Sequence, residues 1–323
     1  MNRTIKTICT FLLLGIACSS MAQKNGRNFR AIDDYAKKLG RLDSMNMGTI
    51  ATLLTKNYED KTDKARAIFT WIATNISYDV KNARSGNTEK NTTDLVLLNR
   101  KALGAGYAVL FQDMCSVAGI RCLTVDGFIK FSSEQIGDTK TEINHTWNVV
   151  QLGQSPEAWY YVDACKGSGY PDAEFKNFTP AFNDEYFFAN LTIFNWEHCP
   201  DNPAWYLGPR PKGKKDFFDL PVIKPLAYEM GLKRFTPAEG KVKAKAGKPF
   251  YFSFTVKADL DMNITKVALA IGDDRKRKIK PMEYSLNGNN ISFSYKPADE
   301  DSYPVTVLIN DRELMSFQME VTE

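Results

Sequence analysis

The chain has 323 residues, of which 43% are hydrophobic and 12% aromatic. This composition is typical of globular proteins, and the length is sufficient for two domains. The formal net charge is +4, and it falls to about +2 when the first 22 residues are removed. A balance so close to neutral excludes nucleic acid as a partner recognised through a strongly basic surface.

Residues 1–22 have the three-part pattern of a secretory signal peptide. Two basic residues precede an apolar core at positions 8–17, and Ser20-Met21-Ala22 forms a small-x-small cleavage site. We therefore expect an exported protein, which is periplasmic, secreted or at the cell surface. Cys18 leaves a lipid anchor as an alternative. No later segment contains 18 consecutive apolar residues, so no transmembrane segment is predicted.

Helices are predicted in the first third of the mature chain. Apolar residues recur at three- and four-residue steps in 28–39 and in about 63–76, and Asp63 is the expected N-cap of the second helix. A third helix is predicted within 100–119, beginning at the glycine-rich turn around Gly104. Its apolar stripe consists of Tyr107, Leu110, Phe111, Met114 and Ala118.

Strands are predicted to follow this helix. The first is 122–131, and a polar loop at 132–142 comes after it. The segments 142–152 and 159–165 are rich in β-branched and aromatic residues, and a turn signal at 153–156 separates them. This pattern indicates a β-hairpin.

The hairpin brings a histidine close to an aspartate. If Gln151 or Leu152 pairs with Glu157, His145 lies opposite Asp163 or one residue away. Directly opposed side chains have Cβ atoms about 4.5–5.5 Å apart. The carboxylate could then orient the imidazole, as general-base catalysis requires.

The C-terminal third has a different pattern. The region 166–211 is rich in loops and aromatic residues. From about residue 217, short β-type runs alternate with glycine, aspartate and asparagine, at 250–256, 264–271, 290–295 and 303–309. This spacing predicts an antiparallel β-sandwich of the Ig-like type. The predicted organisation is a signal peptide (1–22), an α+β domain (23–212) and an Ig-like domain (213–323).

Four cysteines remain after the predicted cleavage, and their pairing is open: Cys115, Cys122, Cys165 and Cys199. Cys115 and Cys122 flank the exit of the third helix, where they either form a disulfide or are two small buried side chains. The chain has only two histidines and no zinc-type cysteine spacing. No metal site and no other cofactor are therefore predicted.

A cysteine at a helix start, a histidine on one strand and an aspartate on the next form the papain-type arrangement for acyl transfer. Five motifs in the same order resemble the transglutaminase-like superfamily, in particular the branch that includes the kyphoscoliosis peptidase and cytokinesis-type domains. They are AIFTWIATNISYD (67–79), GYAVLFQDMCSVAGIRC (106–122), NHTWNVV (144–150), WYYVDA (159–164) and HCPDNPAW (198–205).

The resemblance implies a papain-like α+β core with a Cys-His-Asp triad. His145 matches the family's histidine and Asp163 matches its aspartate. The family has Val-Cys-x-Gly-Tyr before its helix, whereas this chain has Leu-Gly-Ala-Gly-Tyr, so Gly104 stands at the nucleophile position. The second histidine, His198, lies in a motif similar to the family's HxP and is interpreted as a core or loop residue.

Three functional hypotheses follow. In the first, the protein is a catalytically inactive pseudoenzyme that binds a peptide or a protein in the degenerate cleft. In the second, it is an active cysteine peptidase or acyltransferase in which Cys165, on the same strand face as Asp163, replaces the lost nucleophile. In the third, it is a purely structural or adhesive exported protein whose cleft is filled.

Overall fold

The computed structural model describes residues 27–87, 92–152, 158–172, 174–273 and 276–323. The predicted signal peptide, Cys18 and the turn signal at 153–156 lie outside these residues. In the described part of the chain no helix has both the length and the apolar character needed to cross a membrane.

The helices of the described chain are concentrated in its first half. They are α1 (Arg30–Lys38), α2 (Met47–Thr55), α3 (Lys61–Asn75), α4 (Val80–Ser85), α5 (Thr93–Asn99), α6 (Gly104–Val117), α7 (Ala164–Ser168), α8 (Leu191–Glu197), α9 (Lys214–Asp219) and α10 (Leu226–Glu229).

The first eight strands lie between residues 77 and 200. They are β1 (Ser77–Tyr78), β2 (Lys101–Ala102), β3 (Arg121–Ile129), β4 (His145–Gln151), β5 (Trp159–Val162), β6 (Gly169–Pro171), β7 (Phe178–Pro180) and β8 (His198–Pro200).

The remaining strands follow from residue 222 onward. They are β9 (Val222–Ile223), β10 (Arg234–Thr236), β11 (Lys241–Lys245), β12 (Phe250–Thr255), β13 (Val267–Ile271), β14 (Lys278–Pro281), β15 (Tyr284–Asn287), β16 (Asn290–Tyr295), β17 (Asp301–Ile309) and β18 (Arg312–Thr322).

The helix α6 is central to the first half of the fold. It packs against α3 on one side and against strands β3 and β4 on the other. The strands form an antiparallel sheet in the order β5-β4-β3-β8. The predicted apolar stripe is confirmed for Tyr107, Leu110, Phe111 and Met114, each at most 1% exposed, and Ala118 is only half-buried. The helix therefore buries apolar side chains between α3 and the sheet.

The start of α3 differs from the sequence prediction. Asp60, and not Asp63, is the N-cap residue, and its carboxylate accepts hydrogen bonds from the backbone nitrogens of Thr62 and Asp63. Asp63 lies in the first turn, where its negative charge is favourable next to the helix dipole.

The C-terminal part of the chain forms two sheets. One has the order β10-β12-β16-β15, and the other has the order β11-β18-β17-β13-β14, with β9 beside β18. The ring of Phe252 in the first sheet lies 5.5 Å from that of Phe317 in the second, so the sheets share a core. The predicted antiparallel arrangement is confirmed for these sheets, with one exception in the described strands, since β11 runs parallel to β18. The domain boundary at 212/213 and the Ig-like character remain predictions.

Candidate active site

The helix α6 begins at Gly104, where the resemblance places a nucleophile. Leu103 is the N-cap residue and makes no side-chain capping bond. An ideal Cβ atom built on Gly104 would lie 2.6 Å from Nδ1 of His145, 2.9 Å from its Cε1 and 3.2 Å from the backbone nitrogen of Thr146. The imidazole therefore occupies the space next to the helix start, and a larger side chain at position 104 requires the ring to move.

His145 begins strand β4 and connects Gly104 to Asp163. Its Nε2 lies 2.7 Å from Oδ2 of Asp163, and its side chain is 4% exposed. The contact expected from the sequence is present, but the predicted register is wrong. Asn148 is opposite Val162, so continuing this register places Asp163 opposite Trp147. The imidazole and the carboxylate are therefore diagonal neighbours, a separation that these side chains can span.

Asp163 lies just beyond the end of β5, and both of its carboxylate oxygens accept hydrogen bonds. Oδ2 contacts Nε2 of His145 and, at 3.1 Å, Nε2 of His198. Oδ1 accepts a 2.9 Å bond from the backbone nitrogen of Lys166, which caps α7. Burial alone would raise the pKa of this carboxyl, but the charges and hydrogen bonds of the two histidines hold the pKa far below its usual range.

His198, which its motif predicts to be a core or loop residue, is also part of this site. It begins the short strand β8, which pairs with β3 so that His198 is opposite Ile129. Its ring is fully buried and stacks on Phe194 with centroids 3.7 Å apart. Burial lowers the pKa of this imidazole below its ordinary value. The sequence signal for His198 is the motif His198-Cys199-Pro200, which resembles the family's HxP motif. The sequence alone does not indicate which residues this histidine contacts.

A second buried carboxylate, that of Glu197, lies behind His198. Its oxygens contact Nζ of Lys166 at 2.7 Å and accept hydrogen bonds from Tyr228 at 2.7 Å and from Tyr186 at 3.2 Å. Oε2 is 3.7 Å from Nδ1 of His198. Burial would raise the pKa of Glu197, but Lys166 and then His198 lower it below its usual value.

Cys165 does not lie where the sequence predicted. Strand β5 ends at Val162, and Asp163 caps the short helix α7, so Cys165 belongs to a helix and not to the strand face of Asp163. Burial raises the pKa of its thiol well above the ordinary value, and the charge of Asp163 raises it further. Nucleophilic cysteines need the opposite shift.

The cysteines of the described chain are free thiols, and all of them are buried: Cys115, Cys122, Cys165 and Cys199. Cys115 and Cys122 are close enough to hydrogen-bond, and burial raises the pKa of Cys115 well above its ordinary value. The structure therefore supports the interpretation of Cys115 and Cys122 as two small buried side chains and not as a disulfide.

This arrangement is an oriented acid–base pair that lacks a nucleophile. Nδ1 of His145 is directed at Gly104, which has no side chain that could donate a proton to it. One further chemistry is compatible with the residues present. His145, Asp163 and His198 each offer a ligand atom, and these atoms lie within 4.8 Å of one another, which is compatible with binding a metal ion.

Comparison with known proteins identifies the family that this site resembles. Residues 48–164 match the family model of the transglutaminase-like superfamily, a range that includes Gly104, His145 and Asp163. Residues 48–164 of the chain therefore form a transglutaminase-like domain. The match confirms the predicted family, and the mixed helix and sheet architecture confirms the predicted α+β class.

Individual relatives are large proteins. The chain is 31% identical to the mouse kyphoscoliosis peptidase over 223 residues, which cover 69% of this chain and 33% of the relative. It is 28% identical to the Caenorhabditis elegans Lim and transglutaminase domain protein ltd-1, over 63% of this chain and 29% of the relative. It is 24% identical to the Schizosaccharomyces pombe cytokinesis protein 3, over 64% of this chain and 23% of the relative. The matched part is thus a third or less of each relative.

Proposed function

We propose that this protein is a catalytically inactive transglutaminase-like protein that binds a peptide or a protein segment near the degenerate site. The observation that carries the proposal is the contact between His145 and Gly104. The base nitrogen of the dyad is only 2.6 Å from where a Cβ would be, and the residue there has no side chain to activate. Losing the nucleophile of such a triad lowers the rate by several orders of magnitude.

A group of three partly exposed aromatic side chains supports the binding role. Tyr78 is paired with Ala102, two residues before Gly104, and Phe131 follows strand β3. The ring of Phe175 lies 5.3 Å from Phe131 and 6.3 Å from Tyr78. We call Tyr78, Phe131 and Phe175 the aromatic rim. Aromatic side chains are enriched in binding interfaces, where they supply contact area at low entropic cost.

The catalytic part of the proposal is tested by acyl transfer from a glutamine-containing protein, such as casein, to a fluorescent amine. We expect no turnover above background for the wild type. Gly104→Cys returns a thiol beside His145, and any activity gained by this variant should be lost in Gly104→Cys/His145→Ala. Wild-type turnover that disappears in His145→Ala would overturn the proposal.

The binding part is tested with a phage-displayed peptide library selected on the wild-type protein. We expect selected peptides to bind Phe175→Ala at least 10-fold more weakly, because the central ring of the rim is removed. Tyr251→Ala is the matched control, since Tyr251 is an exposed aromatic residue of the C-terminal sheets, 67% exposed. Peptides that bind both variants equally would place their site elsewhere.

One observation favours a second candidate, a structural or adhesive role without a ligand at the old site. His145 and Asp163 are 6% and 1% exposed, and the histidine ring itself covers Gly104. Two surface pockets of about 550 and 450 Å³ are lined by other residues. Failure of the library to yield any peptide that depends on Phe175 would favour this candidate.

We also propose that the protein is exported, on the basis of the signal-peptide pattern in residues 1–22. Cell fractionation and N-terminal sequencing of the expressed protein test this. We expect a mature chain that begins at Gln23 outside the cytoplasm. A chain that begins at Cys18 and carries lipid would support the anchor, and a cytoplasmic chain that retains residues 1–22 would contradict export.

A further inference from the structure

Both histidines of this chain converge on a single carboxylate oxygen. The sequence contains only His145 and His198, and they lie on separate strands. The two Nε2 atoms are 2.7 and 3.1 Å from Oδ2 of Asp163. All three side chains are at most 4% exposed. The acid–base pair of an acyl-transfer site needs only one of these histidines, so the second one calls for a different explanation.

The hydrogen positions at His198 reveal a conflict. If its Nε2 carries the proton that bonds to Asp163, a neutral ring has a lone pair on Nδ1. This Nδ1 is buried, makes no hydrogen bond to the described chain, and is 3.7 Å from Oε2 of Glu197. A lone pair would then face a carboxylate. If Nδ1 carries the proton instead, the Nε2 lone pair faces Asp163. Either neutral form leaves two acceptors opposed, and a cation between the ring and Asp163 removes this conflict.

The charges of the cluster also favour a cation. Asp163 and Glu197 supply two buried carboxylates, and Lys166 is the ammonium group in contact with Glu197. A buried charge without a partner is costly. Asp163 is in contact with the two histidine rings, which offset its charge only when they are protonated, and a bound cation would offset it with both rings neutral.

We propose that His145, His198 and Asp163 bind one divalent transition-metal ion of the zinc class, through the two Nε2 atoms and Oδ2. Two imidazoles and one carboxylate suit zinc and its neighbours, and magnesium and calcium prefer oxygen ligands. Near-tetrahedral bonds of about 2.0–2.2 Å place neighbouring ligand atoms about 3.3–3.6 Å apart. The observed N···O separations of 2.7 and 3.1 Å are shorter than this, so the two rings must move away from Oδ2 by less than about 1 Å for the ion to enter.

The surroundings resemble those of known metal sites. A metal-bound histidine usually donates its other N–H to a carboxylate, which fixes the ring and strengthens the ligand. With metal on Nε2, Nδ1–H of His198 faces Glu197 and the conflict described above disappears. Trp147 has a buried indole N–H without a hydrogen-bond partner in the described chain, and its ring lies 5.1 Å from His198.

The metal site does not depend on the proposed function. Peptide binding at the aromatic rim involves other side chains, and a missing nucleophile leaves all three ligands in place. The metal experiment and the acyl-transfer experiment can therefore fail separately. Metal on Nε2 of His145 puts the proton of a neutral ring on Nδ1, so the acyl-transfer assay of Gly104→Cys uses chelator-treated protein.

The experiment uses chelator-treated protein without a histidine tag, titrated with Co²⁺ and Zn²⁺ by calorimetry and visible absorption. We expect one site per chain with a Kd of about 1 µM or tighter. Co²⁺ should give a visible absorption band without a thiolate charge-transfer band, because no cysteine is a ligand. His198→Gln and His145→Gln should each weaken binding about 100-fold or more, since each removes a ligand.

Cys199→Ala is the matched control, because this thiol is adjacent to His198 in sequence but packs in a separate cluster with Phe128, Phe217 and Phe218. It should bind Co²⁺ within twofold of the wild type. Circular dichroism checks the fold of each variant, and the rise in wild-type Tm with Zn²⁺, reversed by chelator, is a test that needs no variant. Absence of saturable binding by the folded wild type, or binding that persists in both histidine variants, would overturn the proposal and leave a proton as the bridging cation.

Discussion

Nδ1 of His145 lies 2.6 Å from the position that a Cβ atom would take on Gly104. Real Cβ atoms essentially never approach another atom so closely, so the histidine ring and a side chain at position 104 exclude each other. The ring is held in place from its other side by Asp163. The glycine at position 104 and the position of the His145 ring therefore depend on each other through packing.

This relationship predicts that Gly104→Ala destabilises the protein by about 1–3 kcal/mol, the usual cost of overpacking a tight site. A decrease in the free energy of unfolding would be informative, because alanine in a helix is otherwise favoured over glycine by up to about 1 kcal/mol. In the His145→Ala background the two ring contacts are gone and the 3.2 Å contact with the backbone nitrogen of Thr146 remains, so Gly104→Ala should cost much less than in the wild type. Urea denaturation of the wild type, the two single variants and the double variant gives the coupling energy between positions 104 and 145.

The matched control is Gly48→Ala in helix α2. A Cβ atom there would meet only Oδ1 of Asn46, at an ordinary contact distance of 3.6 Å. We expect this change to be neutral or mildly stabilising. If Gly104→Ala were as mild as Gly48→Ala, the ring of His145 would move aside freely and the site would be open to a larger residue.

Cys165 should react slowly with alkylating agents in the folded protein. It is 6% exposed, and both burial and the charge of Asp163 raise the pKa of its thiol. Reaction with iodoacetamide followed by mass spectrometry should show no step near neutral pH, and reaction should begin only when the protein unfolds. Fast alkylation below pH 8 that disappears in His145→Ala would instead support an active enzyme with a relocated thiol.

The sequence predicted the elements that depend on local pattern. The apolar stripe of α6 and the two strands that hold His145 and lead to Asp163 all follow from spacing within about ten residues. The contact between His145 and Asp163 was found in spite of a register error, because imidazole and carboxylate can span either a direct or a diagonal separation.

The missed features depend on contacts distant in sequence. His198 joins the site through a three-residue strand that pairs with β3, about 70 positions earlier in the chain. Cys165 was assigned to a strand because its neighbours have high β propensity, but Asp163 caps a helix instead. Aspartate is a preferred N-cap residue, and Oδ1 of Asp163 accepts a hydrogen bond from the backbone nitrogen of Lys166, so the chain leaves the strand at this position.

The hydrogen bond from Tyr228 to Glu197 should contribute measurably to stability. Tyr228 lies in α10, about 30 positions after the carboxylate that it contacts at 2.7 Å. Hydrogen bonds to charged groups contribute about 1.5–3 kcal/mol, against about 0.5–1.5 kcal/mol for neutral pairs. Tyr228→Phe should therefore cost more than Tyr35→Phe, which removes a 2.8 Å bond to the backbone oxygen of Leu53. Equal losses in guanidinium denaturation would mean that Glu197 is not ionised in the folded protein.

Lys130 should make stability depend on pH in the alkaline range. It is 6% exposed, its Nζ donates to the backbone oxygen of Phe217 at 2.6 Å, and it lies 3.8 Å from the centre of that residue's ring. Burial lowers the pKa of this ammonium group to about 7, although the nearby thiol of Cys199 opposes the shift. The unfolded chain keeps the ordinary value of 10.5, so between these two pH values it binds more protons than the folded protein does.

The contribution of Lys130 to stability therefore rises with pH between about 7 and 10.5, by about 1.4 kcal/mol per pH unit. Lys130→Met removes this dependence, because methionine has a similar length and does not titrate. We expect the stability of the wild type relative to this variant to increase steadily from pH 7.5 to pH 9.5 in urea denaturation. Between pH 5.5 and 6.5 the difference should be constant, since Lys130 is then protonated in both states. A difference that does not change from pH 7.5 to 9.5 would show that Lys130 stays charged in its aromatic surroundings, stabilised by the ring of Phe217 to a greater extent than its burial suggests.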